Sequence, residues 1–159
     1  MKYTGHIFRP PPEAGTLLLQ VTVGCSHNKC GFCTMYRETP FLVESIEQIE
    51  QDLAEARRLY RSVTRIYLLN GDPFALSAKK LKEIAEKIIT YFPEMETITM
   101  YASIRNIRHK SDEDLCQLRS LRINELWVGV ESGDDEVLRH LKKGHSLRDA
   151  HEQLERLAD

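Results

Sequence analysis

Cys25-Ser26-His27-Asn28-Lys29-Cys30-Gly31-Phe32-Cys33 places three thiols within nine residues, with four residues and then two between them. The stretch follows Leu17-Leu18-Leu19-Gln20-Val21-Thr22-Val23, a near-continuous apolar run that reads as a parallel strand covered on both faces. Thiolates this close in sequence converge on one point, so a metal or a cluster is expected there. A structural zinc ion takes four closed ligands, and an iron–sulfur cube held by four cysteines is likewise complete. Three thiolates leave one iron of a cube with an open position, where chemistry can happen. Gly24 and Gly31 let the backbone turn tightly around a bulky inorganic object. A Cys-x-x-Cys pair is also the mark of a zinc knuckle or a redox pair, so a zinc site completed by His27 or Cys116 stays open at this point.

Outward from the loop, the chain alternates strand and helix. Ser45, with Gln48 three residues on, forms a capping box for a first helix whose buried face is Ile46, Ile49, Leu53 and Ala56. Arg65 to Leu69 is the second strand and ends in Asn70-Gly71-Asp72-Pro73. Ser77 caps the next helix, with a stripe of Leu81, Ile84, Ala85, Ile88 and Ile89. Thr97 to Ala102 is the third strand, ending at Ser103, and Ser111 caps a third helix carrying Leu115, Leu118 and Leu121. Leu126 to Val130 is the fourth strand, ending in Glu131-Ser132-Gly133. Val137, Leu138 and Leu141 mark a fourth helix closed by Gly144. Ser146 opens a fifth with Leu147, Ala150, Leu154 and Leu157. Helical connections make such strands parallel neighbours, so the fold class is α/β, built of about four parallel (β/α) units. Residues 1–16, with Arg9-Pro10-Pro11-Pro12-Glu13, form an extended lead-in, either covering a barrel end or a plain arm.

The 159 residues suffice for one domain, read as 1–159 without an internal boundary. The net charge is −2 and no basic run occurs, so an electrostatic nucleic-acid footprint is lacking. No apolar run approaches the roughly 20 residues of a membrane span, and no membrane partner is expected. Four cysteines in such a composition read as metal ligands and free thiols of a reducing cytoplasm. The six histidines are scattered without metal-ligand spacing. The polar clusters all follow strands: the cysteines, Asn70 to Asp72, Ser103, and Glu131. In a parallel sheet that is one edge, the carboxyl edge, where α/β enzymes bind ligands.

The cysteine loop, with Phe32 just before its last cysteine, resembles the motif of the radical S-adenosylmethionine (radical SAM) enzymes, with one residue more in the first gap than is usual there. The resemblance spans residues 17–147. It implies part of a partial TIM barrel in which Cys25, Cys30 and Cys33 hold a [4Fe–4S] cluster. S-adenosyl-L-methionine would bind the fourth iron through its amino and carboxylate groups, with Phe32 beside the adenine. Asn70-Gly71-Asp72-Pro73 resembles the family's glycine-rich segment that meets the methionyl amino group, with Asp where Glu is often found. Gly129-Val130-Glu131-Ser132-Gly133, followed by Lys143, resembles a segment of oxygen-independent coproporphyrinogen oxidases and methylthiotransferases. That likeness gives Glu131 to the ribose hydroxyls and Lys143 to the methionyl carboxylate, although a cation there also suits a helix C-terminus. The resemblance also implies Ser103 as a ribose or amino-group contact. No catalytic side chain beyond the cluster ligands is implied. The implied reaction is reductive cleavage to a 5′-deoxyadenosyl radical that abstracts hydrogen from a substrate of unspecified class. It needs a reductant such as flavodoxin or ferredoxin.

Two other classes compete: an electron carrier, which needs a fourth cysteine such as Cys116, and a zinc-stabilised binding module. Cys116 lies roughly 160° from the leucine face of its helix and is expected to be a dispensable surface thiol. A full eight-unit barrel takes about 250 residues, so the chain is expected to be the N-terminal portion of a barrel cut from a longer protein or covered by a second chain. With an open sheet edge it is expected to self-associate, or to be loosely ordered near residues 125–159.

Overall fold

The computed structural model describes residues 1–158. In chain order its elements are β1 (Leu17–Gln20), β2 (Thr22–Val23), β3 (Leu42–Val43), α1 (Ile46–Leu59), β4 (Arg65–Leu69), α2 (Ala78–Tyr91), β5 (Thr97–Ala102), α3 (Ile104–Arg108), α4 (Asp112–Ser120), β6 (Ile123–Val128), α5 (Asp135–His140) and α6 (Leu147–Ala158). The main sheet has the order β1-β4-β5-β6, and every pairing in it is parallel. Sequence neighbours along the β/α units are thus spatial neighbours, as short helical crossovers require. The result is an α/β partial TIM barrel of four parallel strands.

Alternation along a strand sends successive side chains to opposite faces. Leu19, Ile66, Leu68, Ile98 and Met100 face the helices and join Ile49, Leu53, Leu81, Ile84, Ile88 and Leu118 in the hydrophobic core. The register Tyr67↔Thr99↔Glu125 and Tyr101↔Trp127 puts a different set on the other, concave face. Tyr67 and Tyr101 meet there edge to face, with centroids 5.8 Å apart. The sheet is therefore apolar outside and polar-aromatic inside, rather than uniformly apolar.

Caps and stripes place the helices. Ser45, Ser77 and Ser111 each accept a bond from the backbone N–H three residues on, an interaction worth about 1 kcal/mol per helix. The reciprocal bond of a box is not formed at Ser45, and the Gln48 side-chain NH2 donates to Asp52 at 3.3 Å. The full box is at Ser111 and Asp114.

Three expectations about the elements are corrected. The first strand ends at Gln20, and Thr22–Val23 turns away to pair antiparallel with Leu42–Val43. Thr22 Oγ1 donates to the Leu69 carbonyl at 3.2 Å and accepts from Asn70 N–H at 3.0 Å, so a side chain replaces the ladder at that step. A short helix, α3, lies between the third strand and the helix capped by Ser111. The fourth strand ends at Val128, which leaves Gly129 and Val130 in the loop.

The lead-in is also not simply extended. Pro11–Gly15 forms a 3-10 turn, and Glu13 within it is fully buried. Its carboxylate accepts from Arg65 at 2.5 and 3.1 Å, from Thr16 at 2.6 Å and from Trp127 Nε1 at 3.0 Å. Arg65 begins β4 and Trp127 lies in β6, so the turn straps the sheet across its concave side. No helix among the described residues is long and apolar enough to cross a membrane.

Candidate functional site

Cys25, Cys30 and Cys33 line one cavity of about 350 Å³ at the carboxyl edge of the sheet. Gly71 and Asp72 from the loop after β4, Ser103 after β5, Glu131 after β6 and Lys143 from the turn after α5 line the same cavity. Parallel strands with helical returns put all these loops at one end, which is why residues over a hundred positions apart share a wall.

The cysteine loop is held from both sides. Gly24 has φ +71°, and a Cβ there would meet the Pro40 carbonyl oxygen at 2.7 Å. Its carbonyl accepts from Gly71 N–H at 3.1 Å, which ties the first loop to the second. Gly31 N–H donates to the Leu141 carbonyl at 2.9 Å, and the Arg37 guanidinium donates to the Gly31 and Cys33 carbonyls at 2.9 and 3.0 Å. At Gly71 a Cβ would come within 2.5 Å of the Tyr36 ring and 2.9 Å of Cys25 Cβ. Only a glycine lets the second loop approach the first cysteine this closely.

Asp72 is buried, and its Oδ2 accepts from Asn106 at 2.5 Å and Ser26 at 3.3 Å. Its Oδ1 has no partner among the described residues. Burial raises the Asp72 carboxyl above its ordinary value, against the pull of Ser103, Asn106, Ser26 and the Lys110 ammonium. Across the cavity Lys143 Nζ donates to Glu131 Oε1 at 3.0 Å and stands 5.8 Å from the centroid of the Phe32 ring. Gly129 gives this pair its room: a Cβ there would lie 2.8 Å from Glu131 Oε1 and 3.0 Å from Lys143 Nζ. Burial pushes the Cys30 thiol up, Lys143 draws it down, and Cys25 and Cys33 push it up again.

Phe32 is half-exposed at the cavity rim rather than tucked into the core. Ser103 lines the cavity and also caps α3, accepting from Asn106 N–H at 3.3 Å. Asn70 is fully buried behind the cavity wall, its Oδ1 accepting from the Tyr36 hydroxyl at 3.4 Å. Cys116 is exposed on α4, away from the cavity. His27 lines the cavity, with Nε2 2.7 Å from the Lys142 carbonyl oxygen.

Sequence reading missed Tyr36, Met35, Tyr101, Arg105 and Trp127, which also line the cavity. Tyr101 and Trp127 are legible in retrospect: each sits near the end of a strand, at the alternate positions that face the barrel interior. Met35, Tyr36 and Arg105 carry no local signal.

The Radical SAM superfamily model matches residues 19–159. The chain belongs to the radical SAM superfamily. The heme chaperone HemW of Bacillus subtilis (strain 168) is 24% identical over 136 residues, 83% of this chain and 36% of that protein. Among solved structures, the cobalamin-dependent S-adenosylmethionine radical enzyme OxsB superposes with a TM-score of 0.71 at 20% identity, over 90% of this chain and 22% of that one. Coproporphyrinogen III oxidase (HemN) from Escherichia coli gives a TM-score of 0.67 at 18% identity, over 90% of this chain and 34% of that one. Methylornithine synthase (PylB) gives 0.66 at 17%, over 90% and 41%. At these identities the structural likeness shows the fold. The chain spans about a third of the length of the curated relative it matches. Membership of the radical SAM superfamily carries with it, in general terms, iron–sulfur and S-adenosylmethionine radical chemistry.

Proposed function

We propose that this chain binds a [4Fe–4S] cluster through Cys25, Cys30 and Cys33, and S-adenosyl-L-methionine beside it, as the cofactor-binding core of a radical SAM enzyme. The observation that carries the reading is the convergence of the three loop thiols with Gly71, Asp72, Ser103, Glu131 and Lys143 on one cavity. The donor set fits the group. Among the described residues no three His, Cys, Asp or Glu side chains close around a single ion. A cube instead asks for thiolates spread so that each meets a different iron. Cys116, the fourth thiol that a carrier or a zinc site would recruit, is exposed on α4.

If bound there, the cluster would supply an electron and S-adenosylmethionine a sulfonium leaving group, the chemistry of radical generation for hydrogen abstraction from a substrate. The chain's own residues then have separable tasks. Gly71 keeps the wall beside Cys25 free of side-chain atoms. Asp72, held by Asn106 and Ser26, offers the unpartnered Oδ1 to an ammonium group. Lys143 would offer its cation to a carboxylate, steadied by Glu131, which would accept from hydroxyls. Phe32 covers the rim, while Tyr36, Tyr101 and Trp127 keep the interior poor in water. Asn70 acts from behind by positioning Tyr36.

Anaerobic reconstitution with iron and sulfide, followed by absorption and EPR spectroscopy, tests the reading. A brown chromophore whose reduced EPR signal changes on adding S-adenosylmethionine is expected, and Cys25→Ala, Cys30→Ala or Cys33→Ala should each abolish it. Cys116→Ser should leave the iron content unchanged. Stoichiometric zinc with no chromophore would overturn the proposal in favour of a zinc-stabilised module. A cluster indifferent to S-adenosylmethionine would instead point to an electron carrier.

A further inference from the structure

Arg105, the second residue of α3, lines the cavity together with Tyr101, Ala102, Trp127 and Val128. It is half-buried, and its guanidinium makes no hydrogen bond or ion pair among the described residues. Its Nε is enclosed with no acceptor in reach. An enclosed donor without an acceptor costs stability, so such groups are rare and recur at functional sites. Other arginines of the chain show the contrast. Arg108, three residues on, pairs with Asp149 at 2.9 Å, and Arg65 holds both Glu13 and Glu125.

The other charges around the cavity are met from within the chain. Glu131 takes Lys143 at 3.0 Å. Asp72 gives its Oδ2 to Asn106 and Ser26, and the Lys110 ammonium pulls on it from behind. Its Oδ1 and the three thiols are claimed by the cofactors in the reading above. S-adenosylmethionine carries a single carboxylate, which that reading gives to Lys143. Arg105 is then left as the cation that nothing in the cavity answers. The wall beside it is aromatic and apolar, and one charged group on such a wall is how small-molecule sites fix orientation. The guanidinium fork matches the paired oxygens of a carboxylate or a phosphate.

We propose that Arg105 anchors the substrate through an anionic group, a carboxylate or a phosphate, against the wall of Tyr101 and Trp127, so that the substrate is an acid. The inference deepens the reading of the cavity as a cofactor site and rests on it. No bond is made or broken at Arg105. Holding the anion fixed decides which part of the substrate faces the rest of the cavity.

Trp127 is the chain's one tryptophan and shares the cavity with Arg105, so its fluorescence reports on this site in the apo chain. The probes are benzoate, phenyl phosphate and inorganic phosphate, with benzyl alcohol as the uncharged control, all at constant ionic strength. We expect a saturable change with benzoate or phenyl phosphate and a much weaker one with benzyl alcohol. Tighter binding of benzoate names a carboxylic acid, and of phenyl phosphate a phosphate ester. Arg105→Met, folded by circular dichroism, should weaken binding by about tenfold or more, and Arg105→Lys, which keeps the charge but not the fork, by less. If Arg105→Met does not fold, Arg105→Gln and Arg105→Lys carry the same test. After reconstitution, Arg105→Met should leave the affinity for S-adenosylmethionine within about twofold, whereas Lys143→Met weakens it. No saturable binding of any anion, or unchanged binding in the folded variant, overturns the proposal. Inorganic phosphate bound as tightly as the aromatic anions makes the site one for a free ion and overturns it too. So does a loss of S-adenosylmethionine affinity in Arg105→Met equal to that in Lys143→Met, which gives Arg105 to the methionyl carboxylate. A chain that binds the probes through Arg105 but assembles no cluster keeps the anion site and overturns the cofactor reading instead.

Discussion

Lys110 is the residue that most clearly serves the site from outside it. It is buried, with Nζ donating to the Phe74 and Leu76 carbonyls at 2.7 and 3.0 Å and lying 4.2 Å from the centroid of the Phe74 ring. These carbonyls belong to the turn after Asp72, so Lys110 pins the second loop to α3. Burial draws its ammonium down to about 8, against the opposing pull of Asp72 and Asp114. Two effects compete on removing it. Lys110→Met spares the burial of a charge, but it leaves two carbonyls unpaired at about 1–3 kcal/mol each. It also leaves Asp72 without its nearest buried cation, and removing one member of a buried charge set is destabilising. The net expectation is a lower melting temperature in thermal denaturation followed by circular dichroism. An unchanged or higher value would show that the cost of burying the charge dominates.

At the scale of elements, the 3-10 turn Pro11–Gly15 is held by one carboxylate. Burial raises the Glu13 carboxyl, but the bonds from Arg65, Thr16 and Trp127, with the Arg65 charge, outweigh it and leave the group below its ordinary value. A carboxyl lowered in the folded state is stabilised as its anion. Glu13 therefore adds stability that is present above its ordinary value of 4.5 and lost as pH falls through the folded value. Glu13→Gln should lower stability near neutral pH by about 1–3 kcal/mol, and the deficit should shrink in acid. Urea unfolding of both proteins at neutral pH and near pH 3 checks the sign. A deficit that grows on acidification would contradict it. Short helices matter in the same way: α3 has only five residues, yet its Asn106 bonds both Ser26 and Asp72 and so joins the first three loops.

At the scale of the whole molecule, the sheet order leaves β1 and β6 at its edges and β4 and β5 at its centre. From Ile66 on, β4 is buried throughout, whereas β6 beyond Ile123 is half-buried or exposed. Local opening free energy follows burial and hydrogen bonding. Amide hydrogen exchange should therefore be slowest in residues 66–69 and 98–100 and faster in 124–128. An open parallel edge is also a template for pairing, so sedimentation at rising protein concentration is expected to reveal self-association through β6. A concentration-independent monomer with uniform protection across all four strands would contradict both.

The strand–helix alternation, the helix caps and the three-cysteine loop were legible in the chain itself, because each depends on residues within a turn or two of one another. Ser45, Ser77 and Ser111 announce helix starts by local hydrogen bonding, and parallel β/α order alone brings the loops after β1, β4, β5 and β6 to one edge. What tertiary structure alone decided is which side chains at that edge share a cavity. Asn70 and Gly71 are neighbours, yet the turn after β4 buries one behind the wall and leaves the other against Cys25. The end of the first strand at Gln20 depended on Thr22 finding Leu69 and Asn70, 47 and 48 positions away. Glu13 reads in the sequence as part of an extended lead-in, a barrel cover or a plain arm, and only Arg65 and Trp127, 52 and 114 positions away, supply its partners. Such pairings depend on three-dimensional proximity, and a linear reading has no term for it.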